Sequence, residues 1–228
     1  MAGLVGSKPT DVSVGFVSMK FEQNRAEERH RRILDAALKV FSHKGYRESS
    51  VDDIAGESAT SKGGVYFHFP GKQAIFFALL ERAARMLLDR VEEAIARETE
   101  PVAKAEAALH VVLRTFGKHR ALARLFLVEA YGGGREFHTR LMEFHELFID
   151  VIKRHLDDAV AAGAIEPVDT ELAGRVWFGA MNEVITHWLL TDHPKRLEDS
   201  YALLRPLIFH SVGAEMPVHV GDGANENR

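Results

Sequence analysis

The apolar side chains of this 228-residue chain recur at helical spacing nearly throughout, and no run of four or more residues alternates convincingly as a strand. Ile33, Ala37, Val40 and Phe41 follow i, i+4, i+7, i+8, and Gly45 is placed to end that helix. Two short helices follow, one over 51–57 capped by Ser49 or Ser50, the next opening at Ser61. Phe77, Leu80, Ala84, Leu87, Leu88, Val91 and Ile95 stripe a long helix from about 72 to 98. Further stripes follow Pro101, cover 122–128, run from Phe137 to Leu156, and occupy 170–191 and 197–212. Asp169 or Thr170 caps the helix at 170, and Gly132-Gly133-Gly134 and Gly163 break the chain. The pattern predicts an all-α protein of about nine helices.

Composition narrows the class. With no cysteine, disulfide frameworks, thiolate metal sites and cysteine nucleophiles are excluded, and a cytoplasmic setting fits. No apolar run approaches the ~20 residues needed to cross a bilayer, so no membrane partner is expected. The net charge of −4 argues mildly against nucleic acid, but it is unevenly distributed. Residues 20–72 hold ten basic and eight acidic side chains, whereas 73–228 hold eighteen and twenty-four. The expected divisions are a flexible tail over 1–21, a small helical domain over 22–72, a larger one over 73–213 and a disordered tail over 214–228. Met19, just before the first helical pattern, is a second candidate start of translation.

The strongest chemical signal lies between Arg31 and Lys72. Two short helices joined by the turn Ser58-Ala59-Thr60 have the dimensions of a helix-turn-helix, whose second helix enters the major groove. Gly63-Gly64 in that second helix costs roughly 1 kcal/mol per glycine against alanine, which is reasonable if backbone must approach a surface. Lys62, Tyr66 and His68 offer donors to phosphates, Lys62 also to guanine, and Lys72 opens the long helix with its charge free. The plainer reading remains open at this point: Tyr66 and Phe69 fit the core of a small bundle, and Lys62 alone is a solvated lysine.

The residues Ile33 to Phe41, Gly45-Tyr46, Ser49 to Ala55 and Ser61 to Lys72 resemble the DNA-binding domain of the TetR family of transcriptional regulators. The resemblance implies an all-α homodimer with an N-terminal reading head and a C-terminal ligand domain. By position, Ser50 resembles the hydroxyl residue that caps the second helix and touches phosphate. Lys62, Gly63 and Gly64 resemble the base-facing start of the recognition helix, Tyr66, His68 and Lys72 resemble phosphate contacts, and Thr60, Ser61 and Phe67 are further DNA-binding candidates. Ala59 departs from the usual glycine, Thr60 from an aliphatic residue, and Phe67 from a polar or tyrosine counterpart. Ala59 implies an altered turn and Phe67 one hydrogen bond fewer, while glycine at 64 leaves fewer side chains to read bases and more reliance on DNA shape and water.

In the C-terminal part, nine of fourteen phenylalanines and both tryptophans fall within 73–213. Phe116, Phe126, Phe144, Phe148, Trp177, Met181 and Asn182 are candidates to line an apolar ligand cavity, with core packing as the alternative. The helix 170–191 is apolar on more than one side, and Leu203 and Leu207 lie off the stripe of the last helix. A second covered face is therefore expected, with Val184, Trp188, Leu203 and Leu207 as candidates for a homodimer interface. Leu125 to Leu190 is similar to the fatty-acid-metabolism regulators of the family, which implies an acyl-CoA effector, while a phenylalanine-rich pocket equally suits an aromatic drug or a terpenoid.

Enzyme motifs fail. His145-Glu146 lacks the second histidine of a zinc helix, Gly71-Lys72-Gln73 lacks the hydroxyl of a phosphate loop, and Gly56 to Thr60 lacks the last glycine of a nucleophile elbow. No catalytic residue, metal or cofactor is expected. The sequence reads as a ligand-responsive DNA-binding repressor acting on a double-stranded operator; the alternative is a helical interaction or carrier protein with a vestigial reading head.

Overall fold

A computed structural model describes residues 12–130 and 134–214, with side chains described from residue 24 onward apart from Glu129. Among these residues there is no strand. In order come α1 (Val12–Glu48), α2 (Val51–Glu57), α3 (Lys62–His68), α4 (Lys72–Ile95), α5 (Pro101–Lys118), α6 (Arg120–Arg124), a π-helical turn (Leu125–Glu129), α7 (Arg135–Ala161), α8 (Thr170–Thr191), a 3-10 turn (Leu197–Ser200) and α9 (Tyr201–His210). The chain divides into two compact units, residues 1–79 and 80–228, with the boundary inside α4.

The first helix corrects the expected tail. It starts at Val12, so residues 12–21 are helical, and only 1–11 of that tail lie outside the described residues. Ser13, Gly15 and Ser18 lower helix propensity by under ~1 kcal/mol each, and a helix nucleated downstream propagates through such residues. The expectation for the C-terminal tail, from residue 215 onward, and for Gly132 and Gly133 falls outside the described residues.

Polar caps set the boundaries in the first unit. The Ser50 hydroxyl accepts from the Asp53 backbone N–H, and the Asp53 carboxylate accepts from the Ser50 N–H, a reciprocal capping box that starts α2. The Ser61 hydroxyl accepts from the Gly64 N–H and starts α3. Helical geometry breaks at Gly45, whose φ of 78° suits glycine. The core beneath is formed by Ile33, Ala37, Phe41, Ile54, Val65, Ile75, Phe76 and Leu79, all fully buried. Tyr46 packs its ring 5.1 Å from Phe76 and 5.5 Å from Phe41.

In the second unit, Asp169 caps α8 by accepting from the Leu172 N–H, and Gly163, at φ 68°, lets the chain leave α7. Trp177 donates its indole N–H to Ser211 at 3.0 Å, while the Trp188 N–H is buried without a partner among the described residues. Arg120 lies over the Trp188 ring at 4.3 Å and donates to the Leu189 carbonyl at the end of α8. No described helix is long and apolar enough to cross a membrane.

Candidate functional site

The reading head presents one clear outer face. On α3, Lys62, Gly63, Tyr66 and Phe67 are exposed, whereas Val65 is buried and Phe69, just past the helix, packs 4.7 Å from His30. The exposed positions fall at i, i+1, i+4 and i+5, which is one side of a helix. Phe67 is 81% exposed, too much for a core residue. Lys62 forms an ion pair with Asp52 of α2 at 2.8 Å, and this partner raises the affinity of its amine for the proton.

The other expected contact residues have different surroundings. Ser50 and Ser61 are exposed, but their hydroxyls already cap α2 and α3. Thr60 donates to the Ser58 carbonyl. His68 is half-buried beside His30. Burial first, then His30 and Arg29, push its pKa below the usual histidine value. Lys72 corrects the expectation of a free charge. Its ammonium donates to the carbonyls of Tyr46, Arg47 and Ser49 at 2.7, 3.1 and 2.7 Å and lies 4.5 Å over the Tyr46 ring. All three of its protons are thus spent on the carbonyls that end α1 and precede α2.

The two glycines of α3 have separate reasons. A Cβ at Gly63 meets nothing within 4 Å, whereas one at Gly64 would come 2.8 Å from the Thr60 methyl and 3.2 Å from the Ser61 hydroxyl. Close packing inside the head therefore explains Gly64, and only Gly63 is left to the argument from an approaching surface. Ala59 adopts φ 49°, so the turn keeps a left-handed residue even with a Cβ present.

The second unit holds a partly open cavity of about 220 Å³. One wall is the α4 stripe Leu80, Ala84, Leu87, Val91 and Ile95, which at 1.5 Å per residue extends roughly 22 Å. All seven residues expected to line an apolar cavity lie on its wall: Phe116, Phe126, Phe144, Phe148, Trp177, Met181 and Asn182. No Asp, Glu, Lys or Arg is among the lining residues. Polarity comes from Asn182, Thr115 and three histidines, His119, His145 and His155, whose pKa values burial pushes below the usual histidine value, disfavouring their charged forms. Such a lining suits a long, uncharged apolar segment of ligand.

Apolar side chains also remain outside. Leu172, Val176 and Leu190 on α8 are 60, 52 and 60% exposed, and Leu203 and Leu207 on α9 are 75 and 71% exposed. Trp188, expected at this surface, is instead 4% exposed within a core formed with Leu109, Leu113 and Ile185, and Val184 packs half-buried against that core. Helical spacing identified two apolar sides of α8 but could not say which one its own domain covers.

Residues 33–79 match the bacterial regulatory proteins of the tetR family, and residues 80–210 match the C-terminal region of YsiA-like proteins, a TetR-type C-terminal domain. The chain belongs to the TetR family. It is 28% identical over 169 residues to the fatty acid metabolism regulator protein of Bacillus subtilis, covering 72% of this chain and 85% of that one. Its fold is shared with the fatty acid degradation regulator FadR of Bacillus halodurans (TM-score 0.76, 20% identity, 82% of this chain and 97% of that one). It is shared also with FadR of Bacillus subtilis in complex with stearoyl-CoA (TM-score 0.73, 23% identity, 78% and 96%). As a TetR-family chain the protein is a transcriptional regulator. Sequence reasoning missed the α4 wall of the cavity, His119 and His155, and the exposed Leu172, Val176 and Leu190. The α4 stripe was readable as one face of a helix, but its cavity side was not.

Proposed function

We propose that this regulator is a homodimeric repressor. It seats two α3 helices in successive major grooves of a palindromic duplex, about 34–36 Å apart. It is released when an apolar ligand fills the cavity, a fatty acyl-CoA thioester being the leading candidate. The observation that carries the reading is the outer face of α3, where Lys62, Gly63, Tyr66 and Phe67 stand exposed together on a helix-turn-helix. An exposed phenylalanine beside a lysine and a tyrosine supplies apolar contact for thymine methyls together with donors for guanine and phosphate.

Support for the ligand comes from the uncharged, elongated cavity and from the relative crystallised with stearoyl-CoA. Support for the dimer comes from the exposed leucines of α8 and α9, which an isolated chain leaves in water. For release to occur, the ligand must bind one conformation better than the other, and α4 is the element that belongs to both units.

The test is selection from a random duplex pool with the full chain. Enrichment of a palindrome, abolished by Lys62→Ala or Tyr66→Ala while the fold is retained, is the expected result. Failure to enrich any sequence, or unchanged binding by both variants, rejects the assignment of the reading head.

A further inference from the structure

Arg90 sits on α4 one residue before Val91, a member of the cavity wall, and is half-buried. Its guanidinium lies 3.5 Å from the Thr115 hydroxyl and 3.4 Å from the His119 Nε2. Both of these residues line the cavity, and neither carries a charge that could balance the arginine. Thr115 is itself only 7% exposed. With the Nε2 lone pair turned to Arg90, the neutral His119 ring carries its proton on Nδ1.

Other half-buried arginines of the same unit are treated differently. Arg120 pairs with Asp192, Arg140 with Glu81 and Glu143, and Arg205 with Glu106. Arg90 has no carboxylate partner among the described residues. A guanidinium offers five N–H donors and loses hydration when half-buried, and two long hydrogen bonds to neutral groups do not compensate for that. The positive potential is felt locally: after burial, Arg90 and then Lys118 depress the His119 pKa.

We propose that Arg90, with Thr115 and His119, is the anchor for an anionic group on the ligand whose apolar chain fills the cavity. This rests on the ligand-binding reading above and adds the head-group chemistry to it. Carboxylate or phosphate oxygens accept from the guanidinium, in the bidentate geometry that arginine favours, and from the Thr115 hydroxyl. The chain then lies along Leu87, Val91 and Ile95. The anion has two possible sources, the carboxylate of a free long-chain acid or a phosphate of a thioester carrier, and the two share this chemistry.

The experiment compares dodecanoate, dodecanoyl-CoA and dodecanol by calorimetry on the full chain, in the wild type, Arg90→Gln and Arg90→Lys. Removing a charge-assisted hydrogen bond from a half-buried site is expected to weaken the anionic ligand at least about tenfold in Arg90→Gln. Dodecanol should stay within about twofold, and Arg90→Lys should recover part of the affinity. Weakening confined to dodecanoate identifies the carboxylate as the anchored group, and weakening confined to dodecanoyl-CoA identifies the phosphate. Unchanged binding of both anionic ligands in a folded Arg90→Gln overturns the proposal. Equal weakening of all three ligands also overturns it, by showing a packing role. If the wild type binds none of the three, the apolar-ligand reading fails and the anchor falls with it, whereas operator selection still tests the reading head.

Discussion

The ammonium of Lys62, on the outer face of α3, lies 2.8 Å from the carboxylate of Asp52 in the first turn of α2. Both side chains are more than half exposed, so the pair adds little to stability. Its effect is on charge. Each acid of α2 holds one lysine: Asp52 holds Lys62, Asp53 holds Lys44, and Glu57 holds Lys39. The head meets DNA with three of its cations already partly neutralised. Asp52→Asn should therefore strengthen binding to non-specific duplex and steepen the salt dependence of log K by up to about 0.9 per head, the increment for one added phosphate contact. Titrations of a scrambled duplex across a salt series check this, and an unchanged slope refutes it.

Thr60 and Gly64 give a second, sharper test. Adding a methyl at Gly64 gains roughly 1 kcal/mol of helix propensity. It also drives a Cβ to 2.8 Å from the stiff Thr60 methyl. Overpacking of this kind costs about 1–3 kcal/mol, so Gly64→Ala should destabilise by about 1 kcal/mol net. Thr60→Ser, which deletes that methyl, should restore it. Gly63→Ala has open space and should stabilise by up to about 1 kcal/mol while weakening operator binding. Denaturant melts and binding titrations on the same four proteins separate these outcomes.

Lys72 is expected to act on folding more than on charge. Removing an ammonium that holds three carbonyls should cost about 2 kcal/mol. Lys72→Met should lower the melting temperature and leave the salt slope of DNA binding unchanged. A slope reduced by about 0.9 per head without loss of stability would instead mark it as a phosphate contact.

Asp53 predicts an acid limit. Lys44 first, then the Ser50 hydroxyl and backbone, hold its pKa at about 2 against an ordinary 3.8. The folded state therefore binds fewer protons than the unfolded one below pH 3.8. The contribution is complete above that value and is lost as the pH falls toward 2. Thermal melts across this window should show a flatter pH dependence for Asp53→Asn than for the wild type, and equal slopes would contradict the capping role.

The exposed leucines of α9 carry the dimer prediction. Leu203→Glu with Leu207→Glu places unpaired charge in any interface formed there. Association should weaken by at least about a hundredfold, because burying such charge costs several kcal/mol. Light scattering should then report a monomer, while Val184→Ala keeps the mass of the wild type. A doubly substituted protein that remains dimeric would move the interface elsewhere.

Much of this molecule was readable from residue order alone. The caps at Ser61, at Ser49 or Ser50 and at Asp169 or Thr170, and the breaks at Gly45 and Gly163, are local signals spanning four residues or fewer, and the structure selects Ser50, paired reciprocally with Asp53, and Asp169. Apolar periodicity likewise marked Ile33, Ala37 and Phe41 as an inner face. Residues 12–21 were misjudged because glycine and serine lower a propensity without forbidding a helix.

Tertiary structure alone decided the rest. Whether Trp188 or Leu172 on the same helix stays in water depends on what packs against it, and periodicity carries no record of that partner. The fate of charge is equally remote in sequence. Lys72 reaches carbonyls 23 to 26 residues away, and Arg90 reaches Thr115 and His119 across 25 and 29. Hydrogen bonds and ion pairs act over a few ångströms whatever the separation along the chain. Sequence therefore determined where the helices lie and which faces are apolar, and only the fold determined which cations meet carboxylates or carbonyls and that Arg90, among the described residues, meets the neutral Thr115 and His119 beside a cavity.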